Sequence, residues 1–195
     1  MSTFRILAAV LAPSLFAPIF LSGVAQAGEP SSPLPPEPGV WQKHEYTFEF
    51  LGFTSTYSCD GLADKLKLLL STAGARSDST ARPGACVSGF GSPDKFARAS
   101  LIFYTLAPVG PNKNSGDVMA KGVWRKVAIS DRMPWDLGVG DCELVDQFRH
   151  QVLPMFSTRN VESNTTCIPN QNSGSVIDLK FESFAAAKTK ADNAQ

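Results

Sequence analysis

Two hydrophobic periods alternate along the chain, one typical of strands and the other of helices. Tyr46, Phe48 and Phe50 alternate with polar residues, which is the two-residue period of a strand with one buried face. From Asp60 the period changes, and apolar residues fall on one helical stripe: Leu62, Ala63, Leu66, Leu69 and Leu70. Gly74 is expected to end this helix.

The same alternation of strand and helix patterns continues to residue 182. The predicted elements are a polar strand at 76–86, an inner strand at 97–104, a strand at 123–129, a helix from Asp141 that ends near Leu153, a polar strand at 159–168 and a half-buried strand at 177–182. Asp141 is a plausible N-cap of the second helix, and Pro154 is expected to end it.

The two halves of the chain, residues 45–106 and 123–184, share an order of elements and a spacing. Each predicts strand, cysteine, helix, polar strand, cysteine, turn and strand. Apolar residues stand 3, 10 and 11 positions after the first cysteine of each half, and Arg76 and Arg159 stand 17 positions after it. We therefore expect an α+β fold in which duplicated βαββ units form an antiparallel sheet of about six strands, with two helices on one face.

The beginning of the chain predicts a secretory signal peptide, residues 1–27. Arg5 precedes an apolar run at 6–24, and the small-x-small sequence AQA ends at residue 27. The run approaches the length that spans a bilayer, so an uncleaved anchor is the alternative. Pro13 and Pro18 inside the run favour cleavage.

Cleavage leaves 168 residues, which is enough for one domain with a core. Residues 28–40 contain five prolines between Pro30 and Pro38 and predict an extended spacer. Residues 41–186 are predicted to form the single α+β domain, and 187–195 a disordered tail.

Four cysteines in an exported chain are expected to form two disulfides. If each predicted unit is self-contained, Cys59 pairs with Cys86 and Cys142 with Cys167. Pairing across the units is the alternative, and it would make the matched spacing accidental. A cysteine in a disulfide has no thiolate, so a nucleophilic role is disfavoured.

The blocks CDGLADKLKLLL and GDCELVDQFRHQVLP, with the later TRNV and CIP, resemble those of a family of uncharacterised secreted bacterial proteins. The resemblance covers most of the chain after the signal peptide, and the paired cysteine-helix blocks are its most specific part. It implies export and disulfides. No activity is known for that family, so the resemblance implies no catalytic residue.

Charge and motifs weigh against several classes of function. After cleavage, 17 basic and 18 acidic side chains give a formal charge of −1, without the basic face that nucleic acid requires. Two histidines, with no C-x-x-C or H-x-x-x-H, do not support a metal site, and no motif predicts a cofactor. Ser88 lacks the flanking glycines of a hydrolase nucleophile elbow. We expect a periplasmic or secreted protein with no membrane span after signal cleavage.

Candidate recognition residues lie in one loop and at two equivalent positions. The loop at 131–137 contains Arg132 and Trp135, types enriched at binding surfaces, although Trp135 could instead fold back as a core plug. Arg76 and Arg159 could form a twin anion-binding feature, but capping of helix C-termini is the favoured interpretation.

The sequence thus predicts an exported, non-enzymatic binding or accessory protein of the cell envelope, whose partner is an unknown envelope protein or ligand. The alternative is a small envelope hydrolase that uses carboxylates near the two helix starts: Asp60, Asp64, Asp141, Glu143 and Asp146. Acidic residues at helix N-termini are explained more simply by the helix dipole. A deep cleft that joins the acids of the two helices would favour the hydrolase.

Overall fold

A six-stranded antiparallel sheet with two helices forms the fold, as a computed structural model describes it for residues 35–84, 92–110 and 119–187. The strands are β1 Glu37–Leu51, β2 Thr80–Pro83, β3 Phe96–Pro108, β4 Met119–Ser130, β5 Thr158–Ser163 and β6 Asp178–Ala186. The helices are α1 Cys59–Ala73 and α2 Cys142–Gln151, and short 3₁₀ helices span Val139–Asp141 and Leu153–Met155. The predicted α+β fold is confirmed. The predicted signal peptide and residues 188–195 of the predicted tail lie outside the described residues.

The strand order is β2-β3-β1-β4-β6-β5, with the first strand of each half at the centre. β1 pairs with β3 along thirteen residue pairs but with β4 along only four, Glu37 to Val40 against Met119 to Gly122. Beyond these pairs, side chains of α2 bind the backbone of β1. Gln147 accepts from the Leu51 amide at 3.0 Å and donates to the Leu51 carbonyl at 2.7 Å, while Gln151 donates to the Glu49 carbonyl.

One hydrophobic core joins both helices to the same face of the sheet. The helices contribute Leu62, Leu66, Leu69, Leu70, Leu144 and Phe148, and the strands contribute Phe48, Phe103, Ile129 and Leu179, all with 0% of their surface exposed. Each such side chain contributes about 1.5 to 3 kcal/mol to folding. Since both helices bury their stripes in this single cluster, they cover one face, as predicted.

The ends of the two helices differ. The Ser58 hydroxyl caps α1 by accepting from the Gly61 amide, and Gly74 ends the helix at a φ of 104°, the left-handed conformation that glycine tolerates best. α2 is shorter than expected because it passes into the 3₁₀ helix that contains Pro154. Asp141 stands at the N-cap position of α2 without capping it, because its carboxylate binds other groups.

Three predicted boundaries are corrected by the sheet. β1 begins at Glu37, so the last four residues of the predicted spacer at 28–40 belong to the central ladder. Pro38 fits there because extended backbone suits its fixed φ, and its carbonyl accepts from the Val109 amide at 3.1 Å. The polar strands are shorter than predicted, since β2 ends at Pro83 and β5 at Ser163.

Candidate functional site

The loop between β4 and α2, residues 131–137, presents an exposed tryptophan. We call it the tryptophan loop. Trp135 is 81% exposed and Met133 57%, while Leu137 is only 1% exposed and packs in the core. The alternative in which Trp135 plugs the core is therefore wrong, because Leu137 takes the buried place.

Backbone hydrogen bonds hold the tryptophan loop to the end of β4. Ser130 and Met133 exchange both of their amide-carbonyl bonds at 2.9 Å, and the Arg132 amide donates to the Leu137 carbonyl, also at 2.9 Å. Arg132 is exposed and has a φ of 62°, a conformation uncommon for a residue with a long side chain. The loop thus has a defined backbone from which Trp135 projects.

Lys65 and Asp141 connect the tryptophan loop to α1. The Lys65 ammonium donates to the Asp136 carbonyl and lies 3.0 Å from Asp141 Oδ2. Asp141, only 7% exposed, also accepts from the Tyr57 hydroxyl and from the Gly138 amide. Burial, together with the neighbouring Asp141 charge, raises the pKa of Tyr57. Tyr57 therefore stays a neutral donor, and the Asp141 carboxylate is occupied by structural contacts.

The other acids of the hydrolase alternative are not brought together in one cleft. Asp60 and Asp64 are exposed, and Asp146 pairs with Arg149 at 3.1 Å. Glu143 accepts from three backbone amides, those of Phe53, Thr54 and Ser55, at 3.0 to 3.2 Å. Neither the cavity beside α2 nor a second cavity along β4 and β6 is lined by acids from both helices. Neither of these cavities is therefore the cleft that would favour the hydrolase.

Arg76 lies against aromatic rings on the sheet face opposite the helices. Its guanidinium makes two hydrogen bonds to Asp78, at 2.6 and 2.7 Å, and lies 3.6 Å from the ring centre of Tyr104 and 5.4 Å from that of Trp41. The ion pair lowers the pKa of Asp78. The carboxylate and the two aromatic rings that contact the Arg76 guanidinium thus all belong to the chain itself.

Arg159 makes a similar contact in the second half. Its guanidinium lies 4.3 Å from the ring centre of Trp124 and 2.5 Å from Glu182, whose pKa it lowers. The expected capping of a helix C-terminus is performed by Arg125 instead, which donates to the Ser71 and Thr72 carbonyls at the end of α1. The expectation for Arg76 and Arg159 was wrong because each guanidinium is paired with a carboxylate and contacts the ring of a tryptophan 35 positions earlier in the chain.

Two nearly identical pentapeptides in the sequence contain the tryptophans that these arginines contact. GVWQK at 39–43 and GVWRK at 122–126 each begin 20 residues before the first cysteine of their half. Trp41 and Trp124, the aromatic partners of the two arginines, are the third residues of these pentapeptides. The prediction missed them because residues 39–43 straddle the end of the predicted spacer.

The disulfide between Cys142 and Cys167 is confirmed, with 5.6 Å between the Cα atoms. It connects the start of α2 to the segment that follows β5. Cys59 is disulfide-bonded, but Cys86 lies outside the described residues, so the pairing of these two stays a prediction. No group of three residues suited to hold a metal ion occurs among the described residues.

A cavity of 970 Å³ lies between α2 and the adjacent ends of β1 and β3. Its lining includes the exposed side chains of Leu51, Phe53 and Phe96, together with Glu143 and Asp146 of α2. Glu143 and Asp146 thus belong to a partly apolar cavity and not to a cleft shared with α1.

Comparison with protein-family models, characterised proteins and solved structures finds no match for this chain. The resemblance to a family of secreted bacterial proteins therefore stays a prediction. Among residues 35–84, 92–110 and 119–187, no helix has the length and apolar character needed to cross a membrane.

Proposed function

We propose that the chain is an exported protein of the cell envelope, periplasmic or secreted, that acts as a non-enzymatic binding or accessory module. Its recognition element is the tryptophan loop, with Trp135 as the anchor. The observation that carries this proposal is the 81% exposure of Trp135 on a loop whose backbone is tied to β4 and α1.

An exposed tryptophan supports binding because its ring has a large apolar area that remains in water in the free protein. Trp is among the residues most enriched at the energetic centres of interfaces. Met133 lies beside it in the loop and is 57% exposed, which extends the apolar surface. The hydrogen bonds of Ser130 and Arg132 order the loop in advance and so reduce the entropy lost on binding.

Export is supported by the signal-peptide pattern and by the Cys142–Cys167 disulfide. Disulfides form and persist in oxidising compartments such as the periplasm. The hydrolase alternative has weaker support, because Asp141 and Glu143 are held by structural hydrogen bonds and Asp60 and Asp64 face the solvent.

The test compares partner recovery by the wild-type protein with that by Trp135→Ala. The mature protein is immobilised and incubated with envelope extract, and the recovered partner is then purified for affinity measurement by surface plasmon resonance. We expect Trp135→Ala to weaken binding at least about 30-fold, the effect of losing an interface hot spot.

Met119→Ala is the matched control. Met119 is a 56% exposed apolar residue at the start of β4, and the tryptophan loop follows the other end of this strand. It is expected to bind like the wild type. Equal recovery by Trp135→Ala and the wild type, with unchanged thermal unfolding, would refute the assignment of the tryptophan loop.

A further inference from the structure

The cavity beside α2 has an apolar floor and an apolar wall. The floor is the cross-strand pair of Phe50 and Ala97, which are 2% and 1% exposed. The wall is the next pair, Leu51 and Phe96, which are 43% and 57% exposed, and Phe53 at the rim is 57% exposed. Three of the eight large apolar side chains that are exposed in the described residues thus surround one cavity, a grouping typical of a binding site.

The opposite wall is α2, and its position is fixed by direct bonds. The Gln147 side chain binds both backbone groups of Leu51, and the Glu143 carboxylate binds three amides of the segment after β1. Cys167, joined to Cys142 at the start of α2, also lines the cavity. The cavity is therefore preformed, and its 970 Å³ lies within the range of about 300 to 1,000 Å³ typical of small-molecule sites.

Charge is distributed unevenly across this cavity. On the strand side, Glu49 and Arg98 lie 3.1 Å apart and neutralise each other. On the α2 side, Glu143 is bound by backbone amides alone, and Asp146 shares its charge with Arg149. Arg98 is the only cationic side chain among the described residues that line the cavity. The strand wall is thus apolar with a neutral ion pair at its edge, and the α2 wall is anionic mainly through Glu143, which is 8% exposed and whose charge is not balanced by a cationic partner in the hydrogen bonds described above.

We propose that this cavity binds an amphipathic cation, a small molecule with a flat apolar body and one amine. The body lies between Phe53 and Phe96, and the ammonium group faces Asp146 and Glu143. Aromatic rings pack on a flat apolar body, whereas carboxylates attract a cation, so the two walls together favour one orientation of the ligand. No residue of the tryptophan loop lines the cavity as described, so this site stands independently of the proposed partner surface.

The first test is an NMR titration of the mature protein at pH 7 with three probes that share a naphthalene ring. The probes are 1-naphthylmethylamine, the neutral 1-naphthalenemethanol and the anionic 1-naphthoate. We expect the amine to bind with a Kd at or below about 1 mM, and the anion at least ten-fold more weakly. The shifts should map to the amides of Phe53, Phe96 and Gln147. Equal binding of amine and anion, or shifts confined to other regions, would overturn the proposal.

Two variants separate the roles of charge and apolar surface. Asp146→Asn is expected to weaken the amine about three- to ten-fold and to leave the alcohol unchanged. Asp64→Asn, which removes an exposed carboxylate of α1, is the matched control and should change neither. If both variants bind the amine equally, the charge assignment is wrong.

Phe53→Ser should weaken all three probes, whereas Val161→Ser, which alters an exposed apolar residue of β5, should not. Both sites are exposed, so both variants are expected to fold, and thermal unfolding verifies this. Wild-type affinity in a folded Phe53→Ser variant would refute the assigned position of the apolar body.

Discussion

The two halves of the sheet make the same arginine-tryptophan contact at equivalent positions. Trp41 and Trp124 are 83 residues apart, as are Arg76 and Arg159. Pro38 and Lys121 are also 83 apart and face each other in the β1–β4 ladder. In an antiparallel ladder, equivalent residues facing each other lie on a local two-fold axis, so this register is the one expected for duplicated βαββ units. The duplication itself stays a hypothesis.

The halves also interlock through two buried hydroxyls. Thr105 of β3 donates to the Met155 carbonyl after α2, while Ser183 of β6 donates to the Ala73 carbonyl at the end of α1. Both side chains are almost fully buried, at 1% and 0% exposed. Each half therefore satisfies the helix end of the other, which makes the two halves one folding unit.

The halves differ where a strand leads into its helix region. After β1, the backbone at Phe53 is held by Glu143 of α2. The residue of α1 equivalent to Glu143 is Asp60, 83 positions earlier, and it is exposed. The segment after β4 is held instead by Lys65 of α1, which donates to the Asp136 carbonyl, and Trp135 projects from it. The comparison teaches that one scaffold supports a clamped segment beside a cavity in one half and a projecting loop in the other.

Loss of a disulfide is expected to have the largest effect on stability in either half. The Cys142→Ala, Cys167→Ala double variant removes a link across 25 positions and should lower the free energy of unfolding by about 3 to 4 kcal/mol in urea titrations. The Cys59→Ala, Cys86→Ala variant should lose a similar amount if the halves are equivalent. Non-reducing peptide mapping checks the second bond, and a peptide that joins cysteines across the halves would contradict the equivalence.

The two glycines of the repeated pentapeptide should respond unequally to alanine. A Cβ atom at Gly122 would lie 2.3 Å from the Phe184 ring, whereas one at Gly39 would lie 2.8 Å from Leu106 and Phe184. Overpacking therefore predicts a loss of about 2 to 3 kcal/mol for Gly122→Ala and about 1 kcal/mol for Gly39→Ala. Urea unfolding followed by circular dichroism measures both. Gly110→Ala, with no atom within 4 Å, is the control. A larger loss at Gly39 would show that Gly122 is not the more tightly packed of the two glycines.

The cation–π contacts are expected to contribute less than the glycine packing. Arg76→Ala and Arg159→Ala should each lower the free energy of unfolding by about 0.5 to 1 kcal/mol because the contact with the ring is lost. Double-mutant cycles with Trp41→Leu and Trp124→Leu isolate this coupling from the ion pairs to Asp78 and Glu182. Arg82→Ala, an exposed residue of β2, is the control. A coupling energy of zero in one half, with a measurable coupling energy in the other, would show that the halves are equivalent in backbone structure but not in this side-chain contact.

A pH effect, the smallest of the four, should arise in the first half alone. Burial lowers the pKa of His44, which stacks on Phe103 and shares a 2.8 Å hydrogen bond with Thr105, whereas the equivalent residue in β4 is Val127. A lowered folded pKa means that the unfolded chain binds the proton more readily. Stability is therefore fully present above the unfolded pKa of about 6.5 and is lost as pH falls toward the folded value.

Thermal unfolding of the wild type and of His44→Val at pH 7.5, 6 and 5 tests this effect. The variant should lose less stability than the wild type between pH 7.5 and 5, and His150→Gln, which changes an exposed histidine, should behave like the wild type. Parallel pH profiles for the wild type and His44→Val would exclude His44 as the source.

The fold was predictable because its signals are local. The stripe of Leu62, Leu66 and Leu69 predicts α1 from spacing alone, and the same spacing indicates α2. The start of β1 was missed because prolines are typical of spacers, and only the partner strand shows that Pro38 lies in a ladder. Strand pairing at that distance leaves no periodic trace in the sequence.

The candidate site was predictable only in part. The composition of residues 131–137 indicated a recognition loop, but not whether Trp135 points outward, because that depends on Leu137 taking the core position. The cavity beside α2 was missed altogether. Its two walls combine Leu51, Phe96 and Asp146, which lie on three segments distant in sequence. No one of these segments contains a recognisable motif.

The glutamines of α2 also bear on how the protein behaves at high concentration. An unpaired stretch of strand backbone is a template for strand addition by another molecule, and so for aggregation. Gln147 and Gln151 bind three backbone groups at the end of β1 that β4 leaves unpaired, and there they act as a substitute for a neighbouring strand. Their removal is therefore expected to expose the backbone groups of Leu51 and Glu49 to contacts between molecules.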